Sequence, residues 1–352
     1  MGIKNYLYLN NLIIRKQTLD KLPKIDTIIF DIDGVLIDVR LSFRKTICET
    51  VQFYFKQILH FEGKVDLVKL EEIEFFKLAG GFNNDWNLSL AIVLFYLIKA
   101  VKNNLKDTNE LRNSKPDLKE FAEKILSRGE GLFGVKRIAE QDKKIREKVF
   151  NLWNKGLIIK IFKEIYAGEK YCFNLYGFQP SIIRAKGNIE KEKVILTNNK
   201  RDILRNLAIG ILSGRTKEEA EIALKKIRWE DLISENHIIT ADYNFEKPNP
   251  ACLKELSDRL HTRVGIYIGD TRDDLITVKN FNKGEKGKEF LSGIVSSDYN
   301  FNLKGNMEHL YLREGVDLLA PEVNEILDLL KKVKSDKLCN IKREANIERE
   351  NR

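Results

Sequence analysis

Cysteine, histidine, proline and tryptophan are scarce in this chain of 352 residues, which holds four, four, six and three of them. Cys48, Cys172, Cys252 and Cys339 lie far apart and form no Cys-x-x-Cys pair. That argues against a structural zinc site and for free thiols in a reducing compartment. His60, His237, His261 and His309 are equally scattered, which argues against a zinc–histidine hydrolase. Long apolar runs are missing too: the longest nearly unbroken one, Leu88 to Ile98, is too short to span a bilayer. No basic stretch followed by an apolar core and a small-residue cleavage site opens the chain. The expectation is a cytoplasmic protein, not exported, with no membrane partner.

Charge is abundant, with 61 basic and 52 acidic residues and a net charge of +9. Lysine is spread along the whole length, with acids nearly as frequent. The densest basic stretch, Lys331 to Arg343, contains Asp336 and is followed by Glu344, Glu348 and Glu350, so residues 336–352 read as a polar C-terminal tail. Without a nucleic-acid-binding signature carrying interleaved aromatics, no nucleic-acid partner is expected. A mildly positive surface can instead steer small anionic substrates. With 43% hydrophobic residues, the chain can build two domains with real cores.

Four strings carry the chemistry. Thr27 to Phe30 is a short β-branched and aromatic run that predicts a buried strand, and Asp31-Ile32-Asp33-Gly34-Val35-Leu36 follows it directly. One aspartate at a strand end is most often a cap or turn residue. Two acids there repel each other and lose solvation, a cost that folding alone does not select and that a divalent cation removes. Val264 to Ile268 is a second apolar run, ending in Gly269-Asp270-Thr271-Arg272-Asp273-Asp274. An acid at the strand end with another four residues on suits Mg²⁺, a hard ion that takes oxygen ligands and keeps several waters. Between them, Glu246-Lys247-Pro248-Asn249-Pro250 sets a lysine in a proline-stiffened loop ahead of a helical pattern of Leu253, Leu256 and Leu260.

A hydroxyl at a strand end has two candidates. Val194-Ile195-Leu196-Thr197-Asn198 is one, and Ile209-Gly210-Ile211-Leu212-Ser213-Gly214-Arg215 is the other. The second is preferred, because Thr216-Lys217-Glu218-Glu219 follows as a capping box and opens a helix with Ala220, Ala223, Leu224 and Ile227 on one face. Strand, hydroxyl, glycine and helix N-terminus together make a phosphate cradle. Thr197 then reads as a strand-end or N-cap residue, ahead of a lead-in helix with Ile203, Leu204 and Leu207.

From Asp33 to Ser213 is 213 − 33 = 180 positions, far more than one crossover needs. Residues 41–190 therefore read as an inserted helical domain. Ile47, Val51, Tyr54 and Ile58 recur at helical spacing, as do Leu67, Leu70, Ile73 and Phe76, and Val149, Leu152, Trp153, Ile158 and Ile161 predict a further helix. The polar stretch from Asn103 to Lys119 reads as a loop. Residues 1–40 and 191–335 form the discontinuous core, with strands at Ile209–Leu212, His237–Thr240, Val264–Ile268 and Leu291–Val295. Interleaved helices make it α/β, a three-layer Rossmann-like parallel sheet core with an inserted α-helical cap domain.

These four motifs, in this order, resemble those of the haloacid dehalogenase-like (HAD) hydrolases with a helical cap inserted after the first motif. The 34 positions from Ser213 to Lys247 suit one βαβ step of that family. The string Gly80-Gly81-Phe82-Asn83-Asn84-Asp85-Trp86, with Ser42-Phe43-Arg44-Lys45, Lys77 and Ile165-Tyr166-x-Gly168, resembles a poorly characterised archaeal and cyanobacterial HAD group. That group's second motif is usually Thr-Gly-Arg; Ser213 departs from it but keeps the hydroxyl. The string can also be a helix stop and an Asx-rich cap for a helix starting near Trp86.

The resemblance implies a Mg²⁺-dependent phosphatase acting on a small phosphorylated metabolite. Asp31 is then the nucleophile and Asp33 the general acid and base. Mg²⁺ is held by Asp31, the Asp33 carbonyl and Asp270, with Asp274, and less firmly Asp273, behind it. Ser213, Gly214 and Lys247 bind phosphate, and Asn83, Asn84, Asp85 and Arg44 of the cap are substrate candidates. Dehalogenases need neither the acid at Asp33 nor the metal; phosphonatases need a cap lysine, for which Lys45 and Lys77 are available. Sugar-phosphate mutases keep the same four motifs and are the alternative reading. A HAD fold retained as a non-catalytic binding or regulatory module is the alternative of another class.

Overall fold

The computed structural model describes residues 5–73, 75–76, 82, 85–126, 131–197, 200–229, 232–296 and 304–335. Lys77, Gly80, Gly81, Asn83, Asn84, Asn198, Cys339 and the tail 336–352 lie outside the described residues. The chain divides into two compact units, residues 1–38 with 193–352 and residues 39–192.

The discontinuous unit is built on strands β1 (Tyr6–Leu9), β2 (Leu12–Arg15), β3 (Thr27–Phe30), β4 (Ile37–Asp38), β5 (Lys193–Val194), β6 (Ala208–Leu212), β7 (Ile238–Ile239), β8 (Val264–Gly269), β9 (Glu289–Val295) and β10 (Leu318–Ala320). Eight of them form one sheet in the order β1-β2-β10-β9-β8-β3-β6-β7, while β4 and β5 pair separately. From β10 to β7 every pairing is parallel. β3 lies at the centre, buried on both faces, which is why its sequence is continuously apolar rather than alternating.

Side chains leave β3 and β8 alternately to two helical layers. Ile29 and Tyr267 join Leu253, Leu256, Val278 and Phe281, from the helices Ala251–Arg259 and Arg272–Gly284, on one face. On the other face Phe30 meets Trp229 edge-on at 5.5 Å, and Ile266, Ile268 and Ile326 crowd around Gly293. The core is a three-layer, mostly parallel α/β sheet. Among the described residues, no helix is long and apolar enough to cross a membrane.

The mostly parallel sheet gains an antiparallel hairpin at one edge. β1 and β2 form an antiparallel hairpin whose second strand runs antiparallel to β10. Its turn is Asn10-Asn11, with Asn10 at φ 53°, and the Tyr6 hydroxyl bonds the carbonyls of Leu312 and Val316. The strand expected from His237 shrinks to Ile238–Ile239, because His237 closes a tight turn begun at Glu235.

Residues 39–192 form a unit that is helical among the described residues. Its helices run Lys45–Phe53, Asp85–Asn103, Thr108–Asn113, Leu118–Leu126, Gly131–Gln141, Arg146–Leu152 and Lys155–Tyr176. Three expectations fail here for local reasons. The polar stretch 103–119 is not a loop, because Asp107 caps Thr108–Asn113 by accepting from the N–H groups of Asn109 and Glu110. The pattern from Val149 to Ile161 is two helices, since Asn154 caps a new start by accepting from the Leu157 N–H at 3.0 Å. The Leu67-to-Phe76 pattern contains only a short turn at Leu70–Glu72 before helix resumes at Ile73, although Leu67, Ile73 and Phe76 are buried as expected.

Candidate active site at the carboxyl ends of the central strands

Register brings three motifs to one level. Phe30 pairs with Ile211 on one side and Ile268 on the other, so Asp31, Ser213 and Asp270 all leave the carboxyl ends of adjacent parallel strands. Parallel sheets place ligands there, because the strand ends open into loops and helix N-termini. The chain turns immediately after Asp33, where Gly34 adopts φ +73° and its N–H bonds the Ile37 carbonyl at 2.9 Å. A Cβ on Gly34 would stand 2.2 Å from Asp270 Oδ2, so the glycine serves both the turn and the approach of the acid. Gly34→Ala is expected to cost at least about 2 kcal/mol and to weaken divalent-cation binding, by displacing Asp270. Thermal melting with a Mg²⁺ titration measures both; a variant that melts and binds like wild type removes Asp270 from the site.

Lys247 is the hub. Its Nζ donates to Asp31 Oδ2 and Asp274 Oδ1, both at 2.7 Å, and to Tyr267 Oη at 3.2 Å. Asp274 sits at the third position of the helix Arg272–Gly284, in a capping box with Thr271. Its Oδ2 accepts from the Asp270 N–H, the Thr271 N–H and the Thr271 hydroxyl. Asp31 Oδ1 accepts from the Ile32 N–H at 2.7 Å. Carboxylate oxygens of Asp31, Asp270 and Asp274 all lie within 4.8 Å of one another.

Burial and charge then divide the two acids that share this lysine. Burial is the largest influence on Asp31; with Asp274, Asp33 and Asp270 it outweighs Lys247 and pushes the carboxyl up to about 7. Burial also raises Asp274, but Lys247 and the Thr271 hydrogen bonds overcome it and hold that carboxyl below its usual value. Lys247 is desolvated as well, yet Asp274 and Asp31 keep it well above the usual lysine range. The physical cause is bond number: Asp274 accepts five hydrogen bonds and Asp31 two, so the proton rests more easily on Asp31.

Asp33 faces a different cation. The Arg215 guanidinium is buried and reaches Asp33 Oδ1 through Nε at 2.7 Å and Nη2 at 2.6 Å. Arg215 Nη1 also bonds the Glu219 carbonyl, and the Arg215 N–H donates to Ser213 Oγ at 3.3 Å. Ser213 is buried at the end of β6, its N–H on the Ile239 carbonyl. The other hydroxyl candidate lies elsewhere: Thr197 is exposed, and both its N–H and its hydroxyl bond Asn324 Oδ1.

Asp273 is buried in the first turn of its helix, its carbonyl accepting from the Thr277 hydroxyl, while Asp274 is the member of the pair in the carboxylate cluster. Arg44 and Asp85 belong to the helical unit, the first buried at the end of the short π-helix Arg40–Arg44 and the second in the opening turn of a helix. Three contributors escaped the sequence reading. Arg215 was visible in its motif without a role, Thr271 was legible as a capping hydroxyl three residues before Asp274, and Tyr267 was the single hydroxyl in an aliphatic strand.

A family model for haloacid dehalogenase-like hydrolases matches residues 25–282. The chain belongs to this family. A search of the curated proteins returned no match. Among solved structures, phosphatase Tt82 from Thermococcus thioreducens is 24% identical, with a TM-score of 0.51 over 80% of this chain and 98% of that one. A structural-genomics target is 14% identical at a TM-score of 0.52, over 88% and 99% of the two chains. At these identities the likeness concerns the HAD fold alone.

Proposed function

We propose that this HAD hydrolase is a Mg²⁺-dependent phosphatase that cleaves a small phosphorylated metabolite through an aspartyl-phosphate. The observation that carries this reading is the buried Lys247 ammonium, 2.7 Å from both Asp31 and Asp274, with Asp270 in the same cluster. Three carboxylates and one ammonium leave an excess of negative charge at the carboxyl ends of β3 and β8. An all-oxygen donor set of this charge fits a small hard cation. Asp31, the Asp33 carbonyl and Asp270 would hold Mg²⁺, with Asp274 behind them; when bound, the ion supplies positive charge that offsets the carboxylates and the phosphate.

Asp31 attacks phosphorus as a carboxylate, and the bond from phosphorus to the leaving oxygen breaks. Asp33 gives a proton to that oxygen, then takes one from the water that cleaves the Asp31–phosphorus bond and releases orthophosphate. Ser213 and the N–H groups around Gly214 hold the remaining phosphate oxygens, and Lys247 balances the charge on both the nucleophile and the phosphate. We read the helical unit, residues 39–192, as the family's cap, in a cytoplasmic enzyme with neither membrane nor nucleic-acid partners.

Hydrolysis of p-nitrophenyl phosphate with Mg²⁺ and with a chelator tests the reading, and a phosphorylated-metabolite library then identifies the leaving group. Metal-dependent turnover is expected. Absence of turnover across the library would replace the phosphatase with a binding module.

A further inference from the structure

We propose that a cavity of about 530 Å³ in the helical unit binds a small organic anion, a dianionic head carried on a flat apolar body, with no residue shared with the catalytic cluster. Its lining residues all fall between 49 and 191, so it belongs to that unit alone. The volume is that of an ordinary small-molecule site. Three elements build the walls: the helix Lys45–Phe53 with the turns that extend it to Ile58, the helix Lys155–Tyr176, and the returning segment 183–191. The string Ile165-Tyr166-x-Gly168 explains how the last two meet. Gly168 leaves helical geometry at φ 61°, and a Cβ there would stand 2.1 Å from the Gly187 nitrogen, so a side chain would push the segment off the helix. The Glu169 N–H then bonds the Ala185 carbonyl at 3.0 Å. Glu164, fully buried one turn earlier, fixes the start of the segment by accepting from the N–H groups of Ser181, Ile182 and Ile183 at 2.7 to 3.0 Å.

The charge left facing this space is positive. Glu164 is occupied by those three N–H groups, and Glu49 is met by Lys45 at 3.1 Å and by Asn188 Nδ2 at 2.7 Å. The ammoniums of Lys56, Lys186 and Lys191 meet no carboxylate among the described residues. Lys56 donates to the Gly63 carbonyl and Lys191 to Asn188 Oδ1, both neutral acceptors at 2.7 Å, while Lys186 donates to neither backbone nor side chain among the described residues. Each ammonium therefore keeps N–H donors for a ligand. Phe53, Ile165 and Ile183 line the same space with apolar surface, and the ring of Phe53 favours a flat body. An anion with an apolar body satisfies both kinds of wall, whereas a bare inorganic anion satisfies one. The cavity also lies between the first helix of the unit and its last segment, and the chain crosses to the other unit just outside these, at 38–39 and 192–193. A bound anion ties those two stretches of chain together.

Adenosine 5′-monophosphate is the probe, because it joins a phosphate dianion to a flat base. The full-length Asp31→Asn chain is the host, so that turnover does not consume the probe. Calorimetric titration is expected to give a Kd of about 10–100 μM, the ordinary efficiency for a ligand of this size. Adenosine, which lacks the head, and orthophosphate, which lacks the body, should each bind at least about 10-fold more weakly. Lys186→Glu reverses one facing charge and should weaken the nucleotide about 10-fold, and Lys56→Gln should weaken it in the same direction. Lys170→Glu, at an exposed lysine of the same helix outside the cavity, should leave binding within about two-fold. With Asp31 restored, the Lys186→Glu enzyme should keep its melting temperature and its turnover of p-nitrophenyl phosphate, which separates lost binding from a damaged fold. Absent nucleotide binding overturns the proposal, as does adenosine or orthophosphate binding equally well. So does binding that survives both Lys186→Glu and Lys56→Gln unchanged, which would move the nucleotide to the catalytic cluster. Because binding is read without turnover, a wild type that hydrolyses no phosphate ester sinks the phosphatase reading and leaves this one to be decided by the titration.

Discussion

Asp31→Asn is expected to lower kcat at least about 10³-fold, with KM little changed, because the amide keeps the shape of the side chain but not its nucleophilic oxygen. Substrate contacts assigned to Ser213 and Gly214 are untouched by the change. A second effect runs the other way. The Asp31 carboxyl is raised to about 7, so the folded protein binds that proton more tightly than the unfolded chain does. Stability from this group is therefore complete below about pH 4 and is lost as pH rises through about 7. The metal-free wild type should lose stability across that interval, and the Asn variant should not. The variant should melt at or above the wild-type temperature at pH 8, with the difference closing at acid pH. Residual activity within ten-fold of wild type would remove Asp31 from the nucleophile role. A variant that melts lower at pH 8 would mean that the Asp31–Lys247 pair is net stabilising as ions.

The legible part of this site is what a single strand and its exit can encode. β3 and β8 are buried on both faces, so their runs are continuously apolar and the acids that end them stand out against that background. The capping boxes at Thr216–Glu219 and Thr271–Asp274 are legible for the same reason, since each satisfies orphan N–H groups within one turn. What stayed hidden depends on register between distant strands. Tyr267 lies beside Ile29 only because β8 pairs in parallel with β3, and its hydroxyl reaches Lys247 only because the loop after β7 returns there. Arg215 looks like any motif arginine until the turn at Gly34 presents Asp33 to it. In the helical unit the apolar period survives breaks that the chain does not. Asn154 and Asp107 cap new helices with side-chain oxygens, so a run of correctly spaced apolar residues overstates helix length and a polar stretch understates it. The hairpin β1–β2 carried a readable turn signal in Asn10-Asn11, but nothing local shows that it extends the sheet beyond β10.

Lys247→Met carries the largest expected loss of stability. The replacement has similar volume and no charge, and it strands Asp31 and Asp274, both buried, within 4.8 Å of each other and of Asp270. Removing one member of a buried ion pair costs about 3–5 kcal/mol, because the remaining charges lose their compensation. For 352 residues that corresponds to a fall of roughly 4–7 °C in Tm. Lys254→Met is the control: that lysine is exposed and paired with Glu285, and its loss should change stability by no more than about 0.5 kcal/mol. The electrostatic origin of the Lys247 effect gives it a pH signature. Without the ammonium, both buried carboxyls are raised in the folded state, so the variant keeps its stability at acid pH and loses it as pH rises toward neutrality. Mg²⁺ should recover part of the loss at pH 8 and little at pH 5, where the carboxyls are protonated and offer weaker ligands. Melting curves from pH 5 to 9, with and without Mg²⁺, read all of this together. A deficit equal at every pH and indifferent to Mg²⁺ would assign Lys247 to packing, and the charge balance that defines the site would have to be abandoned.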